Sequence, residues 1–240
     1  MPRQLTYIIL SFVLASCSGD ENADDGDNGD FPNLSSQFAE CNSALYACTN
    51  GNGNYCLFGF KWGEDPFFTN VGFNAQGPES PGGVLTFSIQ EENGTINTHA
   101  QINLPSESFS SLQNCAKDEI RSAMATWGAV ADITFEEQPE NSESDIRFFV
   151  ADIRQGGIGY PNYNESPCIS FAGNVIIQKG LQFDSCEDFQ AFALHEIGHV
   201  LGLGHVASEN IMNPQFLNKE IIALQAGDLE GIIELYGTKN

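Results

Sequence analysis

Apolar side chains recur with a helical period in three parts of the chain. In residues 112–128 they stand at positions i, i+3, i+4 and i+7, which predicts an amphipathic helix with one buried face. A second helix is expected to begin near Asp184 or Ser185, because either side chain can accept hydrogen bonds from a first helical turn. A third helix is expected at about 226–236. The buried stripe of the first helix would consist of Ile120, Ala123, Met124 and Trp127.

Short runs of β-branched and aromatic residues predict the strands. Residues 84–89 alternate between polar and apolar side chains and would form the first core strand. Further strands are expected at 132–137, 145–150, 157–160 and 174–178. Strands followed by two long helices are typical of an α+β domain. We therefore expect a mixed twisted β-sheet backed by helices, with a small C-terminal lobe below a cleft.

The first residues have the pattern of an export signal. Arg3 supplies a small positive charge, and the apolar run 7–14 is too short to span a bilayer as a mature helix. The sequence at 14–17 resembles the cleavage box of bacterial lipoproteins. It predicts a signal peptide over 1–16 and a lipid on Cys17 that anchors the protein to a bacterial outer membrane or cell surface. An ordinary signal peptide with a cysteine near the cut is the alternative.

The segment that follows is acidic and has little to bury. Residues 18–30 contain no apolar side chain larger than alanine, so nothing offsets the entropy of ordering them. We expect a flexible acidic tether over 17–33 and, after it, a cysteine-bearing extension over 34–56. A calcium loop at 24–30 is an alternative for the tether, but it lacks the glycine of the EF-hand template. Structural calcium is therefore possible but not evident.

Charge narrows the classes of partner. The formal net charge of the 240 residues is −23, which argues against nucleic acid and against electrostatic adhesion to anionic lipid. Contact with a membrane is expected through the lipid anchor only. The length suffices for one sizeable core, and no internal repeat is visible. We expect a monomer.

Three of the four histidines lie within eleven residues, which read His195-Glu196-Ile197-Gly198-His199-Val200-Leu201-Gly202-Leu203-Gly204-His205. His195 and His199 are four residues apart, so on a helix they share one face. Gly202 lets the chain leave the helix, and His205 supplies a third nitrogen. Three neutral imidazoles with one open position are typical of a catalytic zinc site. The alternative, a core helix with histidines on its polar side, gives no reason for this register.

A methionine in a turn extends the pattern. Met212 lies in the sequence 210–214, and the run from His195 to Met212 matches the long zinc-protease signature with its methionine turn. The chain resembles the metzincin zinc endopeptidases and, within them, the matrixin family. Segments beyond the motif look like this family as well, and the resemblance covers about 61–237. They are the first helix, the two strands after it and the closing residues 227–237.

The resemblance implies a matrixin-like catalytic domain over 57–240, with an active-site helix, a Met-turn and a C-terminal helix. It implies a zinc-dependent endopeptidase of extracellular proteins, in which one zinc is held by His195, His199 and His205. Glu196 would be the general base for a zinc-bound water, and Met212 would form an apolar floor beneath the imidazoles.

The resemblance also implies where substrate binds. A protein or peptide would lie extended along an edge strand and pair with it through backbone hydrogen bonds. The matching strand is 157–160, with Ile158, Gly159 and Tyr160 as candidate contacts. Pro214 and Phe216 would wall the pocket for the side chain after the cut.

Three features depart from the family pattern. Val206 follows the third ligand where matrixins usually have serine, which leaves the subfamily open. The second, structural zinc of the family needs further histidines, and only His99 is left, so we expect that site to be absent and His99 to lie at the surface. No cysteine-switch motif precedes the domain. The N-terminal cysteines could reach the zinc as a latency device, or could pair in disulfides.

The cysteine count bears on that choice. Apart from Cys17 there are six cysteines, three before residue 57 and three after residue 114. An even number in an exported protein suggests three disulfides. If all six cysteines are paired, the odd number on each side requires at least one bridge between the two parts. We therefore expect residues 41–56 to stay attached to the active enzyme as a stapled extension. The six cysteines are Cys41, Cys48, Cys56, Cys115, Cys168 and Cys186.

Two other function classes remain. A surface adhesion lipoprotein could keep the fold and lose the activity, but the intact histidines and Glu196 argue against such decay. A zinc enzyme acting on a small amide is weakened by the predicted open edge strand.

Overall fold

The computed structural model describes residues 53–63, 72–73, 79–91, 95–98, 102–153, 155–164 and 168–239. Within them lie three α-helices, α1 (Ala116–Val130), α2 (Cys186–Leu201) and α3 (Ala226–Tyr236). The second and third helices begin where the sequence predicts. The first begins later than expected, because residues Phe109–Ser111 form a separate 3-10 turn and Cys115 is the N-cap of α1.

The strands of the described residues are β1 (Cys56–Leu57), β2 (Gly72–Phe73), β3 (Gly83–Ile89), β4 (Thr95–Thr98), β5 (Ile102–Pro105), β6 (Ile133–Glu137), β7 (Ile146–Ala151), β8 (Gly157–Gly159) and β9 (Asn174–Gln178). Five of them form the central sheet, in the order β6-β3-β7-β9-β8. The first four are parallel to their neighbours, and β8 is antiparallel to β9 at the edge. This mixed sheet with its helices confirms the predicted α+β class. Four short strands, which the sequence pattern does not predict, form two separate antiparallel pairs, β1 with β2 and β4 with β5.

Both faces of the sheet are covered, and each has its own hydrophobic cluster. Phe148 and Val150 of β7 belong to the cluster that contains the helices, whereas Phe149 belongs to the other. The same alternation continues in β9, where Ile176 faces away from its neighbours Val175 and Ile177. Because successive side chains of a strand point to opposite faces, a strand buried on both sides must be apolar throughout. The helix-bearing face is the one on which the histidine helix packs.

Helices α1 and α2 lie side by side on that face. The Trp127 indole N–H donates to the Leu194 carbonyl at 3.1 Å. A disulfide between Cys115 and Cys186 joins the starts of the two helices. The position of α2 is therefore fixed by core packing, by a buried hydrogen bond and by a covalent link.

The disulfides bear on the parity argument. Cys56 and Cys168 are disulfide-bonded as well. Since Cys115 and Cys186 are paired, every cysteine that remains for Cys168 precedes residue 57. A bridge therefore joins the N-terminal part of the chain to the main domain, which confirms the prediction of at least one such bridge.

Several predictions fall outside the described residues. They concern the signal peptide 1–16, Cys17, the tether 17–33, most of the extension 34–56, and His99. Among the residues described, no helix combines the length and the apolar character needed to cross a membrane.

Candidate zinc-binding active site

The helix α2 has a well-defined start and end. The Ser185 hydroxyl accepts from the Asp188 N–H at 3.0 Å, and Glu187 and Asp188 lie in the first turn, where the helix dipole favours negative charge. The helix ends at Gly202, whose φ of 108° is left-handed. A side chain at Gly202 would also meet the Phe60 carbonyl oxygen at 2.3 Å, so a glycine is required there on two grounds.

The three predicted ligands come together. The Nε2 atoms of His195, His199 and His205 form a triangle with sides of 3.1 Å. His195 and His199 stand one turn apart on α2, and the loop that begins at Gly202 brings His205 to them. All three side chains are buried.

Hydrogen bonds at Nδ1 fix the orientation of the His195 and His199 rings. The His195 Nδ1–H donates to the Ile211 carbonyl at 2.7 Å, and the His199 Nδ1–H donates to the Leu203 carbonyl at 2.8 Å. With the proton on Nδ1, each Nε2 presents a lone pair to the centre of the triangle. Such carbonyl partners are the usual means of orienting a histidine metal ligand.

Burial also keeps these histidines uncharged. It lowers the pKa of His195 to about 4 and that of His205 to about 3, and it holds the pKa of His199 well below its ordinary value. Neighbouring histidines lower the pKa of His199 and His205 further. Neutral imidazoles are the form that binds a metal ion.

The donor set fits zinc. Nitrogen ligands at about 2.0–2.1 Å around a tetrahedral ion lie about 3.3 Å apart, close to the observed spacing. Three lone pairs directed at one point repel one another unless a cation lies between them. One other group of close potential ligands occurs among the described residues, Cys115, Glu119 and Cys186, but its two cysteines are paired in a disulfide. The histidine triangle is therefore the zinc candidate of the described part of the chain.

Met212 packs beneath the ligands, as expected for a Met-turn. A side chain at Gly198 would lie 2.4 Å from the Met212 sulfur, so the absence of one lets the turn approach the helix between His195 and His199. The turn is held from α3 by Asp228, whose carboxylate accepts from the Ile211 N–H at 2.8 Å and from the Met212 N–H at 3.2 Å. Burial raises the pKa of Asp228.

Glu196 is buried beside the triangle. Burial raises its pKa to about 8, while a hydrogen bond from the Gly159 backbone acts in the opposite direction. A side chain at Gly157 would lie 2.8 Å from the Glu196 Oε1, and one at Gly159 would lie 2.0 Å from the Glu196 carbonyl oxygen. The carboxyl group thus lies where β8 and α2 meet, and glycines in β8 allow this approach.

The edge strand β8 differs in detail from the prediction. Tyr160 donates to the Asn174 carbonyl, and Gly156 accepts from the Gln178 N–H, each at 3.0 Å. Because antiparallel bonding alternates, Ile158 also faces β9, and the peptide groups of Gly157 and Gly159 point away from the sheet. The side chains of Ile158 and Tyr160 lie in the core. Both the side chains and the peptide groups of Ile158 and Tyr160 are thus used within the sheet and the core, which disagrees with the expectation that these two residues contact substrate.

The residues after the Met-turn lie near the histidines. The Phe216 ring stacks on the His195 ring with centroids 4.8 Å apart, and Pro214 is half-buried. The departure at Val206 also has a structural role, since the side chain is buried and the N–H donates to the Met212 carbonyl at 3.1 Å. This position contributes an apolar core contact and a backbone bond to the Met-turn.

Several residues that support the site were not predicted. Asp228 lies in the closing segment that resembles the family, but nothing in its spacing indicates a partner in the Met-turn. Phe58 stacks on His199 with centroids 5.6 Å apart, although the two are far apart in the chain. Gly157 stands in a run of glycines that reads as a turn signal.

Comparisons with known proteins agree with this geometry. A sequence profile of the Matrixin family matches residues 97–237. Metalloendoproteinase 1-MMP of Arabidopsis thaliana is 28% identical over 137 residues, which cover 50% of this chain and 38% of that protein. Hatching enzyme of Paracentrotus lividus is 30% identical over 149 residues, 53% of this chain and 24% of that protein. Metalloendoproteinase 1 of Glycine max is 28% identical over 144 residues, 52% and 47% respectively. The chain thus matches less than half the length of these relatives.

Proposed function

The chain belongs to the matrixin family of metalloendopeptidases, and we propose that it hydrolyses peptide bonds of extracellular proteins in a zinc-dependent reaction. The observation that carries the proposal is the triangle of His195, His199 and His205 Nε2 atoms with 3.1 Å sides, beside the buried carboxyl group of Glu196. We expect one zinc per chain, held by these three histidines. A second, structural zinc is not expected, because the chain has only one other histidine, His99.

Bound zinc supplies Lewis acidity, which polarises the scissile carbonyl and makes a water molecule easier to deprotonate. Glu196 does the proton transfer: one oxygen of its carboxylate takes a proton from the attacking water and delivers it to the leaving amine. Burial raises the pKa of this carboxyl group, which makes it a better proton acceptor than an exposed glutamate. The Gly159 N–H holds the carboxylate in place between the steps.

The edge strand supports the substrate class. Gly157 and Gly159 turn their peptide groups away from β9. The Gly159 N–H is bonded to Glu196, which leaves the Gly157 peptide group and the Gly159 carbonyl to bond an extended peptide as an added strand. Main-chain bonds of this kind favour a polypeptide over a small amide, which has no strand to add. Phe216 and Pro214 would contact the side chain after the cut, and the stacking of Phe216 on His195 brings that pocket next to the metal.

The proposed location is supported by the sequence alone. We propose that the signal peptide 1–16 is removed, that Cys17 carries lipid, and that the tether 17–33 holds the extension 34–56 and the catalytic domain 57–240 outside the cell. The protein would then be a monomer anchored to an outer membrane or cell surface. Mass spectrometry of the mature N-terminus tests this; a mature protein without lipid would favour the ordinary signal peptide.

The activity is tested with casein and a peptide library. The purified protein should cleave both, should lose cleavage in a chelator and should regain it with zinc. His199→Ala should lose most of the zinc. A protein that holds one zinc and cleaves nothing would support the adhesion lipoprotein instead, and cleavage confined to small amides would support the third class. Two zinc ions per chain would contradict the single site.

A further inference from the structure

Residues 54–62, which we call the N-terminal strap, run beside the loop that carries His205. The Gly204 N–H donates to the Cys56 carbonyl at 2.8 Å, and the Phe58 N–H donates to the Gly202 carbonyl at 2.9 Å. Between these bonds Leu57 forms an antiparallel bridge with Leu203. The ligand loop is therefore paired, as one strand with another, with the strap. The peptide next to His205 cannot shift without breaking that pairing.

The strap also reaches His199. The Phe58 ring is fully buried and stacks on the imidazole with an angle of 25° between the planes. The contact between the strap and the loop that carries His205, which we call the seam, is tight. A side chain at Gly204 would lie 2.8 Å from the Phe58 ring and 3.0 Å from the Cys56 sulfur. The His199 ring thus has a hydrogen bond at Nδ1 and an aromatic ring against its face.

The strap reaches His195 indirectly, through the Met-turn. The Asn54 carbonyl accepts from the Asn210 side-chain amide at 2.7 Å. Asn210 directly precedes Ile211, whose carbonyl orients His195. Asn210 also accepts from the Gly227 N–H at 3.1 Å, which ties the same residue to the start of α3. The strap therefore bonds directly to the neighbours of both carbonyl groups that orient ligands: Asn210 next to Ile211, and Gly202 and Gly204 on either side of Leu203.

At its C-terminal end, the strap donates hydrogen bonds to carbonyl groups in the last turns of two helices. The Trp62 indole N–H donates to the Val200 carbonyl at 2.9 Å, and the Lys61 ammonium donates to the Leu235 carbonyl at 2.8 Å. The last carbonyls of a helix have no partner within it, and leaving them buried without one is costly. Removing the strap would expose these groups on α2, the helix that carries His195 and His199, and on α3.

We propose that the N-terminal strap is a positioning element of the zinc site, because its contacts support all three ligands. The inference rests on the proposed function, since it concerns the same metal. It goes beyond a stapled extension, because it assigns specific contacts to Cys56, Phe58 and Asn54.

The first test compares two neighbouring phenylalanines. Phe58→Leu should release zinc to a chromophoric chelator faster, and should lower zinc affinity by about 10- to 100-fold, as is usual when a group behind a metal ligand is altered. Phe60→Leu is the control, because its ring packs edge-on against Tyr163, and none of the ring contacts described joins it to His195, His199 or His205. In the cobalt-substituted protein, the visible absorption bands should shift in Phe58→Leu and stay unchanged in Phe60→Leu. Circular dichroism checks that both variants are folded.

A second variant covers failure of Phe58→Leu to fold. Gly204→Ala places a methyl group in the seam and should also release zinc faster. A folded Phe58→Leu or Gly204→Ala protein that releases zinc at the wild-type rate, with unshifted cobalt bands, overturns the inference. That outcome leaves the proposed function intact. A wild-type protein that binds no zinc contradicts the proposed function itself, and a wild-type protein with one zinc keeps the two questions separate.

Discussion

The two sides of the candidate active site, the histidine triangle and the edge strand β8, are built on different principles. On one side, the His195 and His199 rings donate to the backbone carbonyls of Ile211 and Leu203, and the Phe216 and Phe58 rings stack on them. On the other side, β8 offers peptide groups and almost no side chain, since its outward-facing residues are Gly157 and Gly159. The metal side therefore depends on which side chains are present, whereas the strand side depends on the absence of side chains, which lets the backbone of β8 approach α2 closely.

This contrast indicates how the two sides can change. A substitution on the metal side removes a donor, a proton acceptor or a supporting ring. A substitution in β8 instead adds atoms, and the added atoms have no room, because a side chain at Gly159 would lie 2.0 Å from a backbone oxygen of α2. Substitutions on the first side should therefore affect zinc or chemistry, and those on the second should affect substrate positioning.

The largest effect is expected at Glu196. Glu196→Ala removes the proton acceptor and should lower the rate of peptide cleavage by about 10²- to 10⁴-fold, the usual contribution of a general base. Zinc content should stay at one per chain, because the carboxylate is not a ligand. The exposed Glu187 at the start of the same helix supplies the control, Glu187→Ala, which should keep full activity. A near-normal rate in Glu196→Ala would remove this residue from its role.

Next in size is a change in β8. Gly159→Ala must push the strand away from α2, and a shift of about 1 Å at a reacting centre can reduce the rate by about 100-fold. Zinc content should not change. Gly156→Ala is the matched control, because a side chain there would make only an ordinary contact, 3.9 Å from Phe192. Loss of zinc in Gly159→Ala, or equal effects of the two variants, would contradict the division between the two sides.

A smaller effect is expected at Asp228, which acts on the metal side from a distance. Asp228→Asn replaces an acceptor of three backbone N–H groups, those of Ile211, Met212 and Gln225, by an amide with one acceptor oxygen. The free energy of unfolding should fall by about 1–3 kcal/mol, the cost of buried groups left unpaired. Urea denaturation measures it, with the exposed Asp184→Asn as control. Equal stability of the two variants would mean that Asp228 does not hold the Met-turn.

The smallest effect is the pH dependence of the zinc-free protein. The folded pKa values of His195 and His205, about 4 and about 3, lie below the unfolded value of 6.5. As pH falls below 6.5 the unfolded state therefore takes up protons first, and the folded state loses stability. Between pH 7 and pH 6 each histidine should lower the free energy of unfolding by under about 1 kcal/mol. His205→Asn should show a smaller loss over the same interval; an equal loss would show that His205 does not contribute.

The predictable parts of the site are those set by local spacing. His195, Glu196 and His199 could be placed because four residues make about one helical turn, and α3 could be placed because its apolar pattern and its closing glycine agree. The direction of each residue in β8 could not, because it depends on which residue of β9 lies opposite, and a shift of one residue reverses every peptide group. The short strands β1, β2, β4 and β5 have too few residues to show a period.

The support for the ligands was hidden for a related reason. Phe58 contacts His199, and Asn54 contacts Asn210, across most of the length of the domain. Such pairs have no spacing rule, so a single sequence does not indicate them. The cysteine count is the exception among long-range features. If all six cysteines are paired, their parity requires a bridge between the N-terminal part and the domain, and the disulfide at Cys168 agrees with it.

Zinc K-edge X-ray absorption of the zinc-loaded protein tests the central claim most directly, because it reports the atoms that contact the metal. The account predicts three imidazole nitrogens at about 2.0–2.1 Å, one further oxygen and no sulfur. The same spectrum is expected for the Glu196→Ala protein, and one imidazole fewer for His205→Asn. A sulfur ligand, or fewer than three imidazoles in the wild-type protein, would contradict the assignment of His195, His199 and His205 as the zinc site.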